Sequence, residues 1–323
     1  MPSLTEVKHY LKACTDRDHL WMSRPLAVAS LLVILVLVKS CQGISFLNSR
    51  EYKIHQLGYP LNEAHTLSLA LSDQQVDSLI ALQYYDSLAC SIVSQQYFIQ
   101  DHFTRYIAYH KTDTAGTSPT DIVAIVNVNG DNDWEKTAVK CDTTRGYLIL
   151  VNTYHYLDST YKRGDMVKFQ TTCSYPGNEA ARDVVDAFYK MQEDCKKQTQ
   201  AQLMVNTSYR SFDYQTEVFK IHDKSIVATP GHSEHQTGLS LDITSIEHPE
   251  KWSFEKSTEG KWMREHCHEY GFILRYPAGK EHITGYGYEP WHLRYVGVKT
   301  ASRILSEGIT FDEYYAYYIE QTN

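Results

Sequence analysis

The chain has 323 residues, 42% hydrophobic and 22% charged, with nine Pro and 16 Gly, which excludes a disordered, collagen-like or low-complexity protein. Its formal net charge is -8, from 31 Lys and Arg against 39 Asp and Glu, so no polycation is present to neutralise a phosphate backbone and nucleic acid is excluded as a partner. The length suits one large domain or two ordinary ones, either able to bury a substantial core.

Residues 26–38 (LAVASLLVILVLV) form a 13-residue apolar run between Arg24 and Lys39, with Lys8, Lys12 and Arg17 ahead of it. A transmembrane helix needs ~20 residues, so residues 1–43 read as a signal peptide or membrane anchor that places the rest outside the cytoplasm. Cys41 follows in VKSC, which leaves lipidation, an uncleaved anchor and simple cleavage open. With Cys14 and Cys41 set aside, five cysteines remain, enough for at most two disulfides. No C-x-x-C pair occurs, which excludes a structural zinc ribbon. Residues 44–65 are polar and mixed and read as a stalk.

An accessory region is expected over 66–142. Ser72 and Gln75 have capping-box spacing, and Val76, Leu79, Ile80 and Tyr84 follow at helical spacing, which predicts a helix over 72–88. A second helix over 97–109, a loop over 111–121 and two Ile- and Val-rich strands over 122–127 and 146–152 come next. From 143 the texture changes to alternating helices and short strands. Helices are predicted over 178–198, 212–220 and 258–270, the last stopping at Gly271, with strands over 201–205, 239–243 and FILRYP and two closing helices over 301–307 and 311–321. Within 178–198, Val184, Val185, Phe188, Met191 and Cys195 make one apolar stripe that belongs to the core. The pattern argues an α+β domain over 143–323, a small mixed or antiparallel sheet with flanking helices.

Three segments concentrate polar residues that a core would not want: NTSYRSFDYQ, PGHSEHQTGLSLDI and GYGYEPWHLRYVG. In the second, Leu239, Leu241 and Ile243 alternate with Ser240, Asp242 and Thr244, so Asp242 leaves the strand on the face opposite the aliphatic side chains. His235 lies in the turn just before it, where it can fold back over that face. In the third, His292 and Arg294 alternate with Trp291, Leu293 and Tyr295, and Glu289 stands three residues before His292 across Pro290, whose kink can aim both into one pocket. Two His and one carboxylate make three zinc ligands with a fourth position left for water, the arrangement of catalytic zinc. Such a zinc lowers the pKa of water from ~15.7 to roughly 7, and Glu289 is the candidate base. His266 and His268 form a competing cluster, but two residues apart on a helix they face different ways. HSEH at 232–235 is not the H-E-x-x-H of zincins.

S-E-H-Q-T-G-L-S-L-D, E-P-W-H-L-R-Y-V-G and S-Y-R-S-F-D-Y-Q together resemble the VanY-like D-alanyl-D-alanine carboxypeptidases, zinc peptidases of bacterial cell-wall metabolism, and VNTYHYL, GFILRYP and GKEHITGY are similar to that family as well. The resemblance implies that His235, Asp242 and His292 bind zinc in a cleft of the sheet and that Glu289 is the catalytic base. It implies further that Arg210 stabilises the oxyanion and that Ser233 and Gln215, with Tyr209 and Trp291, contact the substrate. Ser240 departs from the pattern, standing where many relatives have Ala. The region over 66–142 resembles the extra N-terminal segment of longer members, with spacing, dimer contact or one wall of the cleft as its expected roles. The implied reaction removes the terminal D-Ala from peptidoglycan stem peptides, on a protein tethered to the membrane through its N-terminal segment or secreted to the wall. L,D-carboxypeptidase action on tetrapeptide stems and a non-catalytic wall-binding module are the alternatives. A serine enzyme is disfavoured, since no G-x-S-x-G or S-x-x-K is placed to support one.

Overall fold

The computed structural model describes residues 33–36, 38–40, 45–47, 49–222 and 227–322. The expected signal or anchor segment, with Cys14 and Cys41, lies largely outside them, and among the described residues no helix is long and apolar enough to cross a membrane. Compactness divides the chain into two units, Met1–Cys90 and Ser91–Asn323.

The first unit holds helices α1 (Arg50–His55), α2 (Leu61–Ala70) and α3 (Asp73–Leu82). Ser72 Oγ accepts the Gln75 N–H while Gln75 Oε1 accepts the Ser72 N–H, completing the expected capping box. Gln83 is left-handed, with φ 53, so α3 stops before Tyr84. The segment expected as a polar stalk is instead helical over 50–55 and from 61 on, with Ile54, Tyr59 and Ala64 buried. Single apolar anchors in such short helices leave no period to detect.

In the second unit, α4 (Phe103–Thr112) is followed by α5 (Pro119–Asn127). Residues 122–127, expected as a strand, are the body of α5. Ser118 caps this helix and Pro119 occupies its first turn, but every residue from 122 to 127 is buried. A helix buried on all sides shows no polar face, so its Ile and Val content imitates a strand. The other expected strand, over 146–152, is a 3-10 turn (Thr143–Leu148) running into irregular chain.

Two short pairings follow. Strand β1 (Val139–Lys140) runs parallel to β2 (His155–Tyr156), and β3 (Met166–Lys168) antiparallel to β4 (Glu179–Ala181). The chain continues through α6 (Arg182–Thr199), β5 (Leu203–Thr207), α7 (Phe212–Ile221), β6 (Ser240–Ser245), α8 (Lys251–Lys256), α9 (Thr258–His266), β7 (Phe272–Leu274), β8 (His292–Tyr295), α10 (Val298–Glu307) and α11 (Phe311–Tyr318). The main sheet has the order β5-β6-β8-β7, antiparallel throughout. This is the expected mixture of small sheets and flanking helices.

One face of that sheet carries the core. Leu203, Val205, Leu239, Leu241, Ile243, Phe272 and Leu293 pack against the α6 stripe of Val184, Val185, Phe188, Met191 and Cys195 and against Trp262 and Met263 of α9. Cys90, Cys141, Cys173, Cys195 and Cys267 are all free thiols, so none of the disulfides that the count allowed forms among the described residues.

Candidate active site

The opposite face of the sheet is polar. Strands β6 and β8 are in register with Asp242 opposite His292, Leu241 opposite Leu293 and Ser240 opposite Arg294. Since alternate residues leave opposite faces, the two leucines enter the core and Asp242 and His292 rise side by side. His292 Nδ1 lies 3.0 Å from Asp242 Oδ1. His235 arrives from a 3-10 turn, Glu234–Thr237, that ends at Gly238 with φ 69. Glycine suits this left-handed backbone, and a Cβ there would stand 2.6 Å from Met166 Sδ, so the methionine side chain would have to shift. The turn brings His235 Nε2 to 3.5 Å from Asp242 Oδ1, while its Nδ1–H donates to the Ser208 carbonyl at 2.6 Å.

His235, Asp242 and His292 are all buried and offer three ligand atoms within 4.8 Å of one another. Bonds of ~2.0–2.2 Å to a tetrahedral zinc set ligand atoms about 3.4 Å apart, and the observed 3.0 and 3.5 Å separations bracket that value. The donor set therefore fits a zinc ion with an open fourth position. The hydrogen bond from His235 Nδ1 fixes the tautomer that presents Nε2 as a ligand.

Burial, helped by the neighbouring charge of Arg210, pushes the His235 imidazole down to about 4, toward the neutral form that metal binding requires. Burial works against the charged form of Asp242 too, but His235 and His292 hold its carboxyl well below the usual range. For His292 burial is outweighed by Asp242 and Glu234, which raise its pKa to about 9.

Glu289 Oε2 lies 3.7 Å from His292 Nδ1. The backbone across Pro290 holds it there, with the His292 N–H donating to the Glu289 carbonyl at 3.1 Å and the Glu289 N–H to the Tyr276 carbonyl at 3.1 Å. Burial raises Glu289 above the ordinary carboxylate range, with Asp242 adding to the shift and His292 opposing it. A carboxylate made more basic beside the metal position is suited to take a proton from water. Arg210, Ser233, His235, Asp242, Glu289 and His292 all line one cavity of about 260 Å³. Burial lowers the pKa of Arg210, and the charges of Asp242 and Glu289 draw it back up.

The other expected contact residues are placed differently. Trp291 lines an adjoining open groove of about 1030 Å³, with Lys251 Nζ 4.7 Å from its ring centre. Gln215 is buried behind the cavity wall, its amide donating to the Ala228 carbonyl at 2.7 Å. Tyr209 is not among the lining residues, and its N–H donates to the Glu179 carbonyl. His266 pairs with Glu269 and stacks on Trp262, so it takes no part in the site.

The family model described as VanY, D-alanyl-D-alanine carboxypeptidase, matches residues 177–298, which include every residue of the metal triad together with Glu289 and Arg210. YodJ of Bacillus subtilis (strain 168) is 38% identical over 182 residues, 52% of this chain and 66% of that protein, so the match spans just under two thirds of its relative. The solved structure of the LdcB LD-carboxypeptidase shares 34% identity and a TM-score of 0.52, covering 56% of this chain and 91% of that one. The chain belongs to the VanY-like D-alanyl-D-alanine carboxypeptidase family. A further structure, the vancomycin-resistance D,D-pentapeptidase VanY of a VanB-type cassette solved as a point mutant with Zn(II), shares 28% identity over 52% of this chain and 98% of that one, at a TM-score of 0.44.

Several residues of this VanY-like site escaped the sequence reading. Lys251 donates to Asp242 Oδ2 at 3.0 Å, so with His292 at Oδ1 both oxygens of this carboxylate are engaged. Tyr276 sits 5.1 Å from the His292 ring, and Tyr286 beside it lines the same cavity. Glu234, although inside the S-E-H motif, carries no local sign of its role. Ser240, noted as a departure from the family pattern, donates to Glu234 Oε2 at 3.2 Å.

Proposed function

We propose that this chain is a zinc carboxypeptidase that hydrolyses the terminal D-Ala from peptidoglycan stem peptides, with residues 143–323 as its catalytic domain. The observation that carries this reading is the convergence of His235, Asp242 and His292 with Glu289 and Arg210 around one cavity. When bound, zinc polarises the scissile carbonyl and acidifies water. His235, Asp242 and His292 hold the ion and orient it. Glu289 takes the proton of the attacking water on a carboxylate oxygen and passes it to the departing D-Ala amine. Arg210, a cation lining the same cavity, is suited to stabilise the charge that develops on the carbonyl oxygen. Ser233, which lines the cavity, and Trp291 in the groove are suited to hold the terminal residue and the stem behind it. The apolar segment over 26–38, with basic residues ahead of it, supports an extracytoplasmic site of action, tethered or secreted.

Arg210→Ala is expected to lower kcat by about 10²–10³-fold, as for loss of one oxyanion donor, with zinc content unchanged. Steady-state kinetics beside metal analysis read both, and a wild-type kcat removes Arg210 from the reaction.

L,D specificity is the second reading, favoured by the likeness to LdcB, which is named an LD-carboxypeptidase. The purified protein, incubated with defined pentapeptide and tetrapeptide muropeptides with and without a zinc chelator, separates the readings by product mass. Chelator-sensitive loss of one Ala from the pentapeptide alone is the expected result. Loss from the tetrapeptide establishes the L,D enzyme, and cleavage of neither sinks the carboxypeptidase reading.

A further inference from the structure

Behind the metal ligands lie four charged side chains that are nearly inaccessible to solvent: Glu234, Arg275, Arg294 and Asp312. Taking such groups out of water costs much of what their attraction returns, so a buried ionic cluster is a poor device for stability. Its geometry points toward the metal. Glu234 Oε1 accepts from Arg275 Nε at 2.7 Å and from Arg294 Nη1 at 2.9 Å. Asp312 grips the far edge of Arg275 through both oxygens, at 2.5 and 3.1 Å. Arg294 Nη2 is tied in turn to the carbonyls of Tyr147 and Ile149. The carboxylate of Glu234 therefore cannot turn, and its other oxygen, Oε2, which accepts from Ser240 Oγ at 3.2 Å and keeps a further lone pair, faces His292 Nε2 at 3.6 Å.

That ring nitrogen is buried and has no hydrogen-bond partner. If Nδ1 is the ligand atom, as its approach to Asp242 indicates, the proton of the neutral ring must sit on Nε2, and a buried N–H needs an acceptor. A tilt of less than about 1 Å closes the present gap to hydrogen-bond length.

We propose that Glu234 is a positioning residue whose Oε2 accepts the His292 Nε2–H, and that Asp312, through Arg275, holds it in place. The first turn of α11, outside the stretch matched by the family model, thereby helps to set how tightly the metal is held. This rests on the zinc reading above. Loss of an outer partner of a metal-bound histidine typically weakens the metal 10–100-fold.

The test is zinc affinity of the full chain by competition with a chromogenic chelator, for wild type, Glu234→Gln and Asp312→Asn, with far-UV circular dichroism of each metal-free protein as the folding control. Glu234→Gln is expected to bind zinc about 10–100-fold more weakly, and Asp312→Asn to shift affinity in the same direction by less. The cobalt-loaded variants should also show altered visible ligand-field bands, which a merely structural change elsewhere would not move. Folded Glu234→Gln with affinity within twofold of wild type overturns the proposal. Should Glu234→Gln fail to fold, nitrogen-15 spectra of the histidines in zinc-loaded wild type decide: a slowly exchanging proton on His292 Nε2 supports it, and a proton on Nδ1 overturns it. Wild-type protein that binds no zinc defeats the underlying reading itself, whereas tight wild-type binding with an unaffected Glu234→Gln defeats only this inference.

Discussion

Glu289→Gln is expected to lower kcat by about 10²–10⁴-fold, the usual contribution of a positioned general base, while the protein keeps one zinc per chain. The substitution preserves shape and the possibility of hydrogen bonding, but an amide cannot accept the proton of water. Zinc content should persist because Glu289 is not one of the three convergent ligands; its carboxylate stands beside them, 3.7 Å from His292 Nδ1. The backbone that aims it, through its carbonyl and its N–H, is untouched by the change. Metal analysis and turnover on the muropeptide substrate, measured on the same preparation, read the two halves of the prediction. A wild-type rate would falsify the role of Glu289, and loss of zinc would make it a ligand instead.

Removing a ligand should act in the other order, metal first and activity as its consequence. His235→Ala and His292→Ala are each expected to leave a protein that holds no stoichiometric zinc after dialysis, with hydrolysis reduced to background. Each deletes one of the three donors that converge among the described residues, and without the ion the pKa of water returns from ~7 to ~15.7. The fold itself should survive, since both rings lie on the polar side of β6 and β8, away from the leucines that enter the core. Elemental analysis and circular dichroism check the two parts, and stoichiometric zinc in either folded variant sinks the ligand assignment.

Much of this site was legible because its key residues sit in short alternating segments. In LSLDI the aliphatic positions declare one face, so Asp242 had to leave the other, and WHLRY does the same for His292. The α6 stripe was legible for a similar reason, being a long helix with one wet side. Alternation failed where burial is complete, as in α5, whose capping residues Ser118 and Pro119 were the better signal. It failed too in the helices over 50–55 and 61–70, where each turn contributes only isolated buried residues.

What the sequence by itself determined is the family, the donor types and the face from which each donor projects, because these depend on neighbours a few residues away. Only the tertiary structure decided that Asp242 stands opposite His292 and that Gly238 turns His235 back over them. It alone also joined Glu234 to Arg275, Arg294 and Asp312 and brought Lys251 onto the acidic ligand. Pairing register and the packing of α11 bring together side chains 60 residues apart, as in Glu234 and Arg294, and 160 apart, as in Asn152 and Asp312. Local periodicity carries no information about which distant segment will meet it. The partners of a buried charge are chosen by that meeting, since a charge inside the protein is tolerated only where another element supplies its counterpart.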